Sequence, residues 1–367
     1  MRHWLPVILL CLFFSFPVLG QPGTNSGKTQ HRVYGFSFLS GPVLVHNHLV
    51  ESIENARTHA VSFEISKQMT DSVSYSFCRA YVRKGFSFSY FDFGTPILGY
   101  GLISSYFLEP VYRVGNKLQL QFRGDMGAGY FSNPFDSSKN PTNKNYSQHI
   151  TPYLRISAGF GIRLTQKLTL EGNAGLHHIS NGNYREPNAG LNWLSLSATL
   201  LYYPGNNLFP HYKRPSRYKW NEKKGSLDIG LMYVPKQGYH LKWNNTRNYM
   251  IGLFAVATKK VSHISAVSGG VEFCYNKFTP DPVPILHNCS PGVVAGVMIG
   301  HEFLLNKIIF SQQCGIYFTN YPSFYKSVYH RWGLRYRLTK KLYAGFNMKV
   351  HRFTADFIDL RIQYKLF

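Results

Sequence analysis

From Val33 onward, apolar and polar side chains alternate through run after run, each run ending in a turn. Successive side chains on a strand point to opposite faces, so this period of two predicts an all-β, antiparallel chain. Two runs show it cleanly. Leu118, Leu120, Phe122, Met126 and Ala128 oppose Gln119, Gln121, Arg123 and Asp125. Leu154, Ile156, Ala158, Phe160, Ile162 and Leu164 oppose Tyr153, Arg155, Ser157 and Arg163. The expected strands are 33–45, 58–69, 80–93, 97–111, 117–131, 150–164, 167–180 and 192–204, then 226–235, 247–258, 264–276, 293–304, 307–319, 328–338, 341–351 and 354–367. A soluble sandwich alternates too, with its apolar face buried. A transmembrane β-barrel turns that face outward to lipid. Charged residues on several facing strands, an apolar N-terminal run and a terminal Phe367 favour the barrel.

The turns agree with that topology. Short ones, such as Val114-Gly115-Asn116-Lys117 and Thr165-Gln166-Lys167, alternate with long loops at Asn133–His149 and Asn181–Leu191. Outer-membrane barrels carry short periplasmic turns and long external loops. If the first strand runs outward, both long loops fall outside.

Residues 1–20 read as a signal peptide: Arg2 and His3 precede the apolar run LPVILLCLFFSFPVLG. The run is too short and proline-interrupted for a membrane-spanning helix. The remaining organisation is a barrel half over 21–204, a polar basic linker at 205–225 and C-terminal barrel strands over 226–367. Eight strands plus eight admit one barrel of about 14–16 strands or two tandem eight-stranded barrels, since either closes every edge. Only one terminal strand ends in an aromatic residue, which favours the single large barrel.

Lysine and arginine number 40 against 17 aspartates and glutamates, and 16% of residues are aromatic. Such a balance can serve nucleic acid, but the basic residues are spread rather than in runs and an exported chain rarely meets it. Phosphorylated lipid at a membrane surface is the better partner. After the leader the cysteines are Cys78, Cys274, Cys289 and Cys314. Export permits disulfides, and Cys274–Cys289 would close one loop, but spacing does not fix pairing. The spacing matches no zinc motif, and no metal or cofactor is expected.

The stretch Leu168–Tyr203 carries the chemistry. It reads as two alternating runs around a Gly/Asn/Pro-rich loop, a β-hairpin. His178, Ser180 and Asn192 fall on the apolar face at the loop end of both strands, three polar groups at the rim of a greasy wall. A loop starting after Ser180 and ending before Asn192 would set those two opposite each other, with His178 diagonal to Asn192. His177 points to the other face, so His177-His178 is no shared metal site. The sequence Leu164–Leu168 echoes Leu338–Leu342, but His351 then aligns with His177 and no serine follows, so the second half reads as wall.

His178-Ile179-Ser180-Asn181 followed by Pro187-Asn188-Ala189-Gly190-Leu191-Asn192 resembles, without a gap, the H-x-S-N…P-N-x-G-x-E signature of the lipid A 3-O-deacylases, outer-membrane acyloxyacyl hydrolases. The resemblance covers about Val33–Pro204. It implies an integral protein of the bacterial outer membrane, an esterase removing an acyl chain from lipid A (lipopolysaccharide). Ser180 would be nucleophile and His178 base. Asn188 would hold the oxyanion, supported by Asn181 and by a backbone N–H near Gly182 or Asn183. The family's third member is a glutamate where this chain has Asn192. Asn192 can orient His178 without charge, or Glu186 in the loop is an alternative acid. The reading from another class is a non-catalytic barrel, a pore or structural protein with a degenerate site.

Overall fold

A computed structural model describes residues 30–367 except 47, 73, 76–79, 183–184, 206–208, 211, 213–224, 238–246, 263, 277–291, 306, 319–327 and 352–353. The expected signal peptide, Cys78, Cys289, Asn183 and most of the basic linker lie outside the described residues. Sixteen strands follow in order: β1 Gln30–Leu44, β2 Arg57–Met69, β3 Tyr81–Asp92, β4 Tyr100–Val114, β5 Leu118–Phe131, β6 Ile150–Arg163, β7 Leu168–Ile179 and β8 Leu191–Tyr202, then β9 Gly225–Gln237, β10 Arg247–Lys260, β11 Ser265–Asn276, β12 Gly292–Leu305, β13 Ile308–Tyr317, β14 Val328–Arg337, β15 Leu342–His351 and β16 Thr354–Lys365.

They close as two antiparallel barrels of eight strands each. The preference for one large barrel is corrected here, and the tandem alternative is the arrangement adopted. β8 returns to β1 over a ladder from Tyr34↔Tyr202 to Leu44↔Asn192, and β16 returns to β9. Each half therefore satisfies its own edges before the other half is needed. The single terminal aromatic was a poor guide, because closure is set by strand register and not by the last residue.

The alternation has the sense expected of a membrane wall. In β6 the outward Leu154, Ile156, Phe160 and Ile162 are exposed, whereas Arg155 and Ser157 are buried in the lumen. Outward tyrosines stack along the loop end: Tyr90 on Tyr100, and Tyr130 on His149 at 5.3 Å. Such aromatic girdles mark the membrane boundary.

The lumens are filled with paired charge. In the first, Arg83, only 1% exposed, bridges Glu64, Glu109 and Glu171 at 3.3, 2.6 and 2.9 Å. Arg123 pairs with Glu64 and Asp125 and lies 3.6 Å over the Phe107 ring. In the second, Arg331 meets Glu272 and Asp359, each at 2.7 Å, and Lys349 meets Glu272 at 3.0 Å. Cys274 is a free thiol in this lumen, 4.0 Å from the sulfur of Met232. At the loop end of the first barrel an apolar plug built on Trp193, Phe91, Phe93, Phe131 and Tyr146 closes the lumen beneath the external loops.

Depth along the wall gives a direct test. Ile156 sits mid-strand and is 66% exposed, while Ile162 is near the turn end of β6. Ile156→Arg is expected to cost about 2–4 kcal/mol and Ile162→Arg about 0–1 kcal/mol. Refolding into lipid bilayers measures both, and equal costs would rule out the membrane-facing assignment.

Candidate active site

The β7–β8 hairpin carries the site. Its ladder runs Leu168↔Tyr202 up to His178↔Asn192 and Ile179↔Leu191. The expected pairing of Ser180 with Asn192 is thus corrected by two residues of register. The loop begins after Ile179, so Ser180 leaves the ladder and Asn192 stands directly opposite His178. That brings the imidazole and the amide closer than a diagonal placement would. His178 Nδ1 lies 2.6 Å from Asn192 Oδ1.

Ser180 is buried under the loop it begins. Its Oγ accepts hydrogen bonds from the Asn188 side-chain amide at 2.8 Å and from the Gly182 N–H at 3.1 Å. Asn188 is itself aimed by the Asn181 N–H, which donates to Asn188 Oδ1 at 3.1 Å. Asn181 in turn donates through its side chain to the Arg185 carbonyl at 2.6 Å. The residues singled out from sequence are therefore gathered at one rim. Glu186 is in the loop, half-buried, while the ring nitrogen facing the hairpin partner is engaged by Asn192.

Gly190 explains how the pieces fit. It adopts φ +79°, a region open to glycine at little cost. A Cβ there would lie 3.2 Å from His178 Cε1 and 3.9 Å from Ser180 Cβ. The space it leaves open is thus flanked by both residues. The long loop from Asn133 to His149 holds this turn down: Ala189 N–H donates to the Lys144 carbonyl at 3.0 Å and Gly190 N–H to the Asn145 carbonyl at 2.9 Å. Tyr146 anchors that loop, buried and donating to the Leu98 carbonyl at 2.7 Å.

His46 joins the site without having been expected. β1 ends at Leu44 beside Asn192, and barrel closure carries the following residues over the hairpin. Asn192 Nδ2 is 3.2 Å from His46 Nδ1, and His46 Nε2 is 2.9 Å from the Ala189 carbonyl. One protonation pattern satisfies all three contacts. His46 Nε2–H donates to Ala189, His46 Nδ1 accepts from the Asn192 amide, and Asn192 Oδ1 accepts from His178 Nδ1–H. His178 Nε2 is then left as the basic nitrogen. The available sequence signal was position alone: His46 lies one step past an expected strand end at the same rim.

His177 is separate, as its face required. It is buried in the lumen, 2.8 Å from the Tyr153 hydroxyl and 2.7 Å from Ser195 Oγ, and it stacks on Trp193. His351 likewise faces its lumen, 2.9 Å from the Tyr317 hydroxyl. Among the described residues no cluster of three metal-ligating side chains occurs.

Two family models match. Residues 61–200 match the lipid A 3-O-deacylase (PagL) model, and residues 225–367 match the acyloxyacyl hydrolase C-terminal domain of the same family. Together they cover more than half of the chain. The chain belongs to the lipid A 3-O-deacylase family. Among solved structures, the outer membrane enzyme PagL is similar at 15% identity and a TM-score of 0.34, over 45% of this chain and 97% of that one. Neisserial surface protein A (NspA) is similar at 9% identity and a TM-score of 0.33, over 48% and 99%. No curated protein matches the chain. The C-terminal match falls on the second barrel, so the family's own domain division coincides with the two closed sheets.

Gly190→Ala tests the packing of the hairpin loop. The left-handed conformation costs a residue with a Cβ about 1–2 kcal/mol, and the new methyl presses on the His178 ring. The variant is expected to melt at lower temperature and to lose esterase turnover. Parent-like turnover would show that His178 and the loop are not tightly packed.

Proposed function

We propose that this chain is a serine esterase of the bacterial outer membrane that hydrolyses an ester-linked acyl chain of lipid A at the outer leaflet. The observation that carries it is the pair of donors on Ser180 Oγ, Asn188 Nδ2 and Gly182 N–H, set beside the His178–Asn192 hydrogen bond. Family membership supplies the ester and the substrate class. The outward face and loop-end position of the hairpin support access from the lipid side.

In this reading His178 Nε2 takes the Ser180 proton as Oγ attacks the ester carbonyl. The carbonyl oxygen becomes an oxyanion, and Asn188 Nδ2 and Gly182 N–H transfer their hydrogen bonds from Oγ to it. The tetrahedral intermediate collapses, the C–O bond to the sugar breaks, and His178 returns its proton to the leaving hydroxyl. Water then attacks the acyl-serine with His178 again as base, releasing the fatty acid. Asn192 keeps His178 in the productive tautomer, and His46 keeps the Asn192 amide from flipping. The lumens, filled with ion-paired side chains, give no support to an open pore.

Ser180→Ala is expected to abolish lipid A deacylation while the barrel still folds, as judged by heat-dependent gel mobility and by the mass of extracted lipid A. Full deacylation by the folded variant would remove Ser180 as nucleophile.

Asn192 supplies an acceptor but no charge opposite an imidazolium. In a serine protease, replacing the triad carboxylate by asparagine costs about 10⁴ in turnover. Asn192→Glu is therefore expected to match or exceed the parent, its carboxylate accepting from His178 and, after a tautomer shift, from His46. Glu186→Gln is expected to be neutral. Loss of deacylation in Glu186→Gln would instead make Glu186 the acid.

A further inference from the structure

Strand register assembles a second polar group on the outward wall. Ser40 of β1 pairs with His59 of β2, and His59 pairs with Asp92 of β3. The three form one row on the face that otherwise carries Phe38, Val61 and Leu196. Ser40 Oγ lies 3.2 Å from His59 Nδ1, and Asp92 accepts from the Gly94 N–H at 2.9 Å. The row borders an open groove of about 690 Å³ whose remaining lining is mainly apolar, including Phe38, Val61 and Leu196. Among the described residues Ser40 Oγ meets His59 and no pair of N–H donors such as Ser180 has, and the backbone of Ser40 and Gly41 is paired in the β1–β2 ladder. The row is therefore suited to binding and not to a second hydrolysis.

Depth and continuity identify the occupant. Asp92 is the last residue of β3 and His59 the third of β2, so the row lies near the loop end, at head-group level. That is the end at which Ser180 and His178 sit. β8 belongs to both places: Asn192 is its second residue, and Leu196 lies four residues further along the same face, about 13 Å at the rise of an extended strand. A ligand here has an apolar chain for the groove and hydroxyl or amide groups for serine, imidazole and carboxylate. Lipid A has both, and it carries several acyl chains on one sugar head.

We propose that this groove is a second subsite for the same glycolipid. It takes an acyl chain that is not cleaved, while Ser40, His59 and Asp92 hydrogen-bond the polar head and so register the scissile ester over Ser180. The proposal rests on the lipid A deacylase reading and adds the residues that set which chain is presented.

Val61→Trp fills the groove from a lipid-facing position, and His59→Ala removes the central hydrogen-bonding group. Both are expected to raise KM for lipid A about fivefold, the loss of roughly one net hydrogen bond or its packing equivalent, with kcat held. His59→Gln, which keeps a donor and an acceptor, should recover most of the affinity. Hydrolysis of 4-nitrophenyl acetate, too small to reach the groove, should be unaltered. In the Ser180→Ala background, native mass spectrometry of protein mixed with lipid A should show the same fall in occupancy for Val61→Trp. Unchanged KM and occupancy in folded Val61→Trp would overturn the subsite, as would a parallel loss on 4-nitrophenyl acetate. Weakened lipid A occupancy by Val61→Trp in a parent that never deacylates lipid A would sustain the subsite and sink the deacylase reading instead.

Discussion

The β1–β8 ladder is the interaction on which the rest of the first barrel depends. Within a bilayer no water can satisfy a free strand edge, so a spanning sheet must meet itself. When β8 meets β1 the edge disappears and the wall is complete. The same register sets Leu44 beside Asn192 and so delivers His46 to the hairpin rim. Closure and site assembly are thus one event. A chain that failed to close would lose the partner of Asn192 along with its stability.

The lumen charge follows from that closure. Inward positions of eight tilted strands converge on a narrow interior, and carboxylates placed there must find cations. Arg83 and Arg123 share four carboxylates between them in the first barrel. Such buried pairs cost desolvation and give little net stability against an apolar filling, whereas losing one partner is expensive. Their effect is to fix the strands in register and to fill the interior with paired charge. Chemistry is thereby displaced to the outer wall, where lipid arrives.

At the rim the loops do the positioning that strands cannot. A ladder presents side chains only at right angles to the sheet and spends its backbone donors on neighbours. Ser180 needs donors, and it obtains them by stepping out of the ladder into a turn with Gly182 and Asn188. The turn is clamped by the loop from Asn133 to His149. The rim polar row at Ser40, His59 and Asp92 has no such turn over it, which is why the two serines differ in what they can do.

Much of this was legible in the residues. Period-two alternation located all sixteen strands, because each faces lipid on one side and a polar lumen on the other. The spacing of His178, Ser180, Asn188 and Asn192 marked the hairpin rim that gathers them, because they are near neighbours in sequence. Three things were not legible. The number of barrels depends on which strands meet at closure, and alternation is identical for one barrel or two. The opposition of His178 and Asn192 depends on where the ladder ends, and a two-residue shift of register keeps every side chain on its face and is invisible to the alternation. His46 and the Ser40–His59–Asp92 row depend on pairing between strands far apart or separately turned. Periodicity along a chain specifies faces; only hydrogen-bond register across strands decides which residues share a row.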